Sequence, residues 1–424
     1  MKVISIAPAC SSFAVGFALY HHENFQFVAF YDPSHRLTVG SRSLDSDQWT
    51  FFQPEGRWLP VRNRPAHIVG YDSHNYLTLT TDAEGYLHLS GNMHGDLLIY
   101  FRSTRPLDVT SLVAVEKMIG TEENSITYPL FFRDTQGRLI FRYRNGQSGN
   151  GADYYNVYDT ATKTWSRLLE GALLHGEGKR NAYSHLPQWG PDGFWHIAWV
   201  WREHWLVETN HSLSYARSRN LLDWEKADGT PIPRPIVLAT GDVVDPAPIK
   251  EGLINMTYEL GLDHHHRAVL TYHRYDAQGK SQIYAARFEN GAWCIRQLSQ
   301  WNFRWDFQGA GSIPREVTVS PVRKTCSGEL EVAYDTWEIG AGVWRIDEAT
   351  LRVIDTCPPS PPPWPVEWSQ LRQGLHPEMK VQSVTATAAP NGKKYVLRWE
   401  ALPINRDEAH KIEPPPTALE LLEL

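Results

Sequence analysis

Asp82-Ala83-Glu84-Gly85-Tyr86-Leu87-His88-Leu89 reads as a tight turn followed by a strand, with Gly85 at the position that needs a positive φ. The same phrase returns as Asp134-Thr135-Gln136-Gly137-Arg138-Leu139-Ile140-Phe141 and as Pro191-Asp192-Gly193-Phe194-Trp195-His196-Ile197-Ala198. Weaker copies stand around Gly252, Gly328 and Gly392. Gly85, Gly137, Gly193 and Gly252 are 52, 56 and 59 residues apart. A second phrase, strand then polar turn then Trp, follows the first. It runs from Val39–Arg42 to Trp49, Tyr155–Tyr158 to Trp165, Leu213–Ser218 to Trp224 and Ile283–Arg287 to Trp293.

Helical spacing of apolar residues almost nowhere persists, so the chain is expected to be all-β. A period of this length with about four short strands per unit predicts a β-propeller, and 424 residues hold roughly seven such units. The expectation is a single seven-bladed domain over residues 1–424. Residues 12–31 are expected to pair into the blade of residues 380–402 and so close the ring. Cys357–Pro365 is too rich in proline for a central strand and reads as a surface loop. The tail near 410–424 is expected to be peripheral.

Composition narrows the function. Hydrophobic residues at 42% suffice for a core, and 17 Trp and 19 Tyr suit both packed sheets and sugar-stacking surfaces. A net charge of −7 without a basic run argues against nucleic acid as a partner. The absence of any 18-residue apolar run argues against a membrane-spanning helix. Cys10, Cys294, Cys326 and Cys357 form no CxxC pair and are read as free thiols. The stretch Met1–Cys10 holds one Lys and is broken by Pro8, so it is read as mature chain, which favours a cytoplasmic location. A monomer is expected. Asp263-His264-His265-His266, with Cys294, is a candidate structural metal site, although its spacing matches no standard zinc motif.

Chemistry concentrates between Tyr71 and Gly151. His74, His94, Tyr128 and Arg144 fall at corresponding ends of consecutive units, and Arg202 follows in the next. Singly, each has an ordinary explanation as a core histidine, a strand-edge tyrosine or a surface-paired arginine. Together, and in register with the repeat, they suit β-elimination at a 4-linked uronate. Arginine holds the carboxylate through its fork, and histidine and tyrosine take and give protons. No paired-carboxylate pattern of the glycoside hydrolase kind stands out. Asn75, Asn92, Arg202 and Trp201 are candidate substrate-binding residues.

Tyr71-Asp72-Ser73-His74-Asn75-Tyr76, Gly91-Asn92-Met93-His94, Thr127-Tyr128-Pro129, Arg142-Tyr143-Arg144-Asn145-Gly146 and Trp199-Val200-Trp201-Arg202 resemble the BNR-repeat family. That family includes seven-bladed ulvan lyases and related rhamnose–glucuronate lyases. The likeness extends through Arg304–Phe307 and Leu397–Glu400. It implies that His74 and His94 are active-site histidines, Tyr128 the catalytic tyrosine, Arg144 the arginine beside the uronate carboxylate and Arg202 a further pocket arginine. Which of His74 and Tyr128 is base and which is acid stays open. It implies a uronic-acid-containing oligo- or polysaccharide as substrate, with no cofactor required. The alternatives are an α-L-rhamnosidase on the same fold and a non-catalytic carbohydrate-binding propeller.

Overall fold

The Asp–Gly turns are built as hairpin corners. A computed structural model describes residues 2–386 and 389–424, so Met1, which heads the N-terminal stretch weighed above, lies outside it. In the first turn Asp82 Oδ1 accepts from the backbone N–H groups of Glu84 and Tyr86, both at 2.9 Å, and Gly85 has φ +82°. Asp134 does the same for Gln136 and Arg138, with Gly137 at φ +79°. Gly193, Gly252, Gly328 and Gly392 also have positive φ, as their positions require.

The chain is all-β. Among the described residues, seven antiparallel sheets have four or more strands. The chain divides into two compact units. The first comprises Met1–Gly146, Tyr154–Leu168 and Pro361–Leu424. The second comprises Gln147–Asp153 and Leu169–Ser360.

Two sheets of the first unit position the site. One runs Leu112–Ala114, Tyr100–Ser103, Leu87–Gly91, Leu77–Thr81 in spatial order. The other begins His94–Asp96, Ile126–Arg133, Leu139–Gln147. Inward-facing residues such as Leu79, Leu87, Leu89, Phe101, Ile126 and Phe141 join one apolar core. The Trp of the second phrase caps it: Trp165 donates through Nε1 to Tyr100 Oη at 3.2 Å, which in turn meets buried His88 at 2.7 Å. The second unit has its own core around Ile254, Val269, Ile283, Trp305 and Trp344.

Closure differs from expectation. Residues 18–31 form a sheet of their own, Ala18–His22 and Phe25–Tyr31 with Leu37–Ser43 and Thr50–Phe52. Lys2–Ala9 is the strand that joins the sheet of residues 380–402, and it does so through the tail. The order is Lys2–Ala9, Thr417–Glu423, Tyr395–Ala401, Lys380–Thr385. The tail is therefore not peripheral. Leu419 and Leu421 are wholly buried on one face of the strand and Leu422 on the other, so both faces are covered. The strand Arg352–Cys357 ends where the proline-rich stretch begins. The four cysteines are free. No helix among the described residues is long and apolar enough to cross a membrane.

The histidine triplet is a turn. Asp263 Oδ1 accepts from the backbone of His265 at 3.0 Å and Arg267 at 2.9 Å, and His266 takes the glycine position with φ +62°. Of the three histidines only His265 falls, with Asp263 and Glu348, into a group whose ligand atoms lie within 4.8 Å of one another. Cys294 is not in that group, and Asp263 already receives Arg267 at 2.8 Å and Arg287 at 3.1 Å.

Candidate active site

Four of the sequence-selected residues converge in the first unit. Asp72 caps a short 3-10 turn, Ser73–Asn75, by accepting from His74 N–H at 2.9 Å. The same carboxylate then serves two rings. Oδ1 lies 2.8 Å from His74 Nδ1 and Oδ2 lies 2.5 Å from His94 Nδ1. The imidazoles are stacked, centroids 3.8 Å apart and 18° from parallel. Asp407, from the loop before the tail strand, brings Oδ1 to 3.7 Å from His74 Nδ1.

Tyr128 faces this pair, its ring centroid 5.5 Å from that of His74. It sits at a break in register between Thr127 and Leu130, with φ +59°, a left-handed conformation unusual for a bulky residue. The bulge turns the phenol out of the ladder. Arg144 lies beneath it, nearly fully buried, its guanidinium carbon 5.0 Å from the Tyr128 ring centroid. Thr127 ties the parts together, accepting through Oγ1 from Arg144 Nη2 and from Gly95 N–H, both at 2.9 Å.

The local charges are unequal. Burial alone would lower the pKa of His74, but Tyr128, Asp407 and Asp72 outweigh it and hold the ring well above the ordinary histidine value. His94 moves the other way: burial dominates, and His74 and Arg144 repel a second charge, against the pull of Asp72. Burial would raise Asp72, yet its bonds to the two histidines keep it far below the usual carboxylate range. Burial pushes the neighbouring Tyr76 phenol up, leaving it neutral.

The other candidates play different parts. Asn92 is buried and donates its amide to the carbonyls of Ala66 at 2.7 Å and Ile68 at 2.8 Å. It fixes the φ +59° corner before His94 rather than facing substrate. Asn75 is buried under the turn, and its carbonyl accepts from Tyr31 Oη at 2.6 Å. Trp201 is in the second unit, fully buried and edge-on to Trp199, so no face is open for a sugar. Arg202, in the same unit, donates to the carbonyls of His204 and Trp205 and lies over Tyr183. Sequence reading missed Asp72, Thr127 and Asp407. Asp72 left a signal, since an Asp two residues before His74 is an N-cap pattern. Asp407 left none.

The sequence pattern of the BNR repeat-containing family matches residues 25–301, well over half of the chain. The chain belongs to the BNR repeat-containing family. Over 65 residues the chain is 35% identical to the long-isoform ulvan lyase of Glaciecola sp. (strain KUL10), covering 15% of this chain and 6% of that protein. Another 67-residue match, 33% identical, is to the short-isoform ulvan lyase of Alteromonas sp. (strain LOR), covering 16% of this chain and 12% of that one. The matches thus span only a small part of those relatives' length. Among solved structures, this BNR-repeat chain superposes on polysaccharide lyase Uly1 with a TM-score of 0.62 at 13% identity, covering 100% of this chain and 99% of that one. A PL25 ulvan lyase bound to -[GlcA(1-4)Rha3S]- gives 0.63 at 12% identity, covering 99% and 95%. At such identities the likeness is one of fold.

Proposed function

We propose that this chain is a seven-bladed β-propeller polysaccharide lyase that cleaves a rhamnose–glucuronate polymer at O4 of the uronate. The observation that carries the reading is the convergence of His74, His94, Tyr128 and Arg144 on one spot, with the guanidinium under the phenol and the phenol facing the histidines. The seven sheets and the full-length likeness to two polysaccharide lyases support the architecture.

Arg144 receives the uronate carboxylate and spreads the charge that develops when C5 loses its proton. His74, held cationic by its neighbours, is the acid, which leaves Tyr128 to serve as the base once its hydroxyl proton has been given up. The C5 proton passes to the Tyr128 oxygen. The electron pair left on C5 forms the C4–C5 double bond as the C4–O4 bond breaks, and O4 takes the proton of His74. The proton then on Tyr128 returns to His74, restoring the starting charges. Atoms and electrons balance without a redox or nucleotide cofactor.

The test is ultraviolet absorbance during incubation with ulvan. A rise from the unsaturated uronate, lost in His74→Ala and Arg144→Ala, supports the lyase. Release of free rhamnose without absorbance change points to a hydrolase instead. Binding without turnover leaves a carbohydrate-binding module.

A further inference from the structure

The catalytic reading does not explain why two imidazoles should be stacked face to face in a half-buried site. Two imidazolium ions so placed would repel, and two neutral rings would leave the site without an acid. What lies behind them resolves this. Both Nδ1 atoms point at one carboxylate, and each has an oxygen of its own, at 2.8 Å for His74 and 2.5 Å for His94. A second carboxylate, Asp407, approaches from the His74 side at 3.7 Å.

We infer that Asp72 is the positioning residue of the histidine pair: its two oxygens lock both Nδ1–H groups inward, while Tyr128 and Asp407, both beside His74, tip the pair so that His74 carries the charge and His94 stays neutral. The inference rests on the lyase reading for its use, but not for its geometry. Both Nε2 atoms then face away from Asp72 in opposite states. That of His74 bears a proton and donates, and that of His94 is bare and accepts. A donor and an acceptor side by side suit a glycosidic oxygen and a hydroxyl on the same sugar. They also explain how a proton can be delivered at His74 without a competing one beside it.

A metal ion is the other occupant to weigh, since the ligand atoms of Asp72, His74, His94 and Asp407 lie within 4.8 Å of one another. Ring geometry disfavours it. Zinc needs each nitrogen lone pair aimed at the ion from about 2.1 Å in a tetrahedral array. Each Nδ1 lone pair lies in its own ring plane, and two stacked planes 18° from parallel share no point close to both nitrogens, so a carboxylate with two oxygens can meet both and a single ion cannot. Other charged or titratable groups around the cluster are Tyr128, Arg144, Tyr76 and Arg142 on the ring side and Arg62, Arg64 and Asp96 near Asp72, with Asp96 pairing with Arg62 at 2.7 Å and accepting from His94 N–H at 2.9 Å.

Nitrogen-15 NMR of the histidine side chains in the free full-length chain tests this independently of turnover. At pH 7 His74 should be cationic and His94 neutral with its proton on Nδ1. Asp72→Asn keeps an N-capping side chain, so the turn should survive. It should lower the His74 midpoint and release His94 to the other tautomer. Asp407→Asn should lower the His74 midpoint while leaving the His94 tautomer in place. In the lyase assay Asp72→Asn should lower kcat on the order of a hundredfold and move the alkaline limb of the pH profile to lower pH, with KM little changed. Equal protonation of the two rings in the wild type, or unmoved midpoints and tautomers in a folded Asp72→Asn, would overturn the inference. A split pair in a chain with no lyase activity would uphold it and overturn the catalytic reading instead.

Discussion

His74, in the 3-10 turn Ser73–Asn75, and His94, at the head of the strand His94–Asp96, lie ring over ring, 3.8 Å between centroids. That closeness makes the site a one-proton device at neutral pH, and its pH dependence follows.

The elevated pKa of His74 stabilises the fold fully below the ordinary histidine value of about 6.5, and this is lost as pH rises through the higher folded value. Asp72 is depressed, so its contribution is present above the ordinary carboxylate value and fails as pH falls through its much lower one. The first unit should therefore be most stable between these limits. Activity should fall on the alkaline side as His74 gives up its proton. Thermal melts and kcat across pH 4 to 10, on wild type and His74→Gln, check both; loss of the alkaline limb only in activity and not in stability would contradict the shared cause.

Arg144→Lys tests whether a charge alone is enough. Lysine keeps the cation but loses the planar fork, and the bond to Thr127 that places it. Activity should drop on the order of 10² to 10³-fold. Tyr128→Phe should leave melting nearly unchanged and abolish turnover, since the ring packing remains and the proton carrier goes.

Gly91 sets the corner that delivers His94. An alanine Cβ there would stand 2.3 Å from the carbonyl oxygen of Tyr76, with φ at +153°. The backbone must move, and His94 moves with it. Gly91→Ala should cost on the order of 2 kcal/mol by denaturant titration and reduce activity further than that loss explains.

In the second unit His273 is wholly buried between the Gly252 carbonyl at 2.6 Å and Ser281 Oγ at 2.9 Å. Burial pushes its pKa down to about 4. The unfolded chain takes up that proton near 6.5, so stability declines as pH falls from there towards 4, by on the order of 3 kcal/mol. Unfolding free energies at pH 7 and pH 4.5 should show this decline, and His273→Gln should flatten it.

Much of this was legible in one dimension because repeats repeat their turns. Gly85, Gly137 and Gly193 announce hairpins, and the Leu139–Phe141 run announces the strand that follows. His74, His94, Tyr128 and Arg144 could be grouped because each occupies the same end of its unit. Trp201 and Arg202 shared that register but not its outcome: Trp201 is wholly buried, and Arg202 is held by two carbonyls of its own loop. Period alone does not say how far into the core a strand end lies. Asp407 was invisible for another reason. It belongs to no repeat, and only the path of the loop before Thr417 brings it to His74. The tail misled because a strand of alternating Leu and Glu looks like a frayed end unless its partners are known.

That tail has a consequence for how the molecule is made. Lys2–Ala9 is synthesised long before the strand it pairs with, Thr417–Glu423. Throughout synthesis of the intervening chain the earlier strand has an open edge, which exposes it to mispairing. Closing the sheet joins residues of very large sequence separation, the slowest class of contact to form. Asp407 arrives in the same late stretch. The settled charge state of the histidine pair should thus appear only after the Thr417–Glu423 strand has docked.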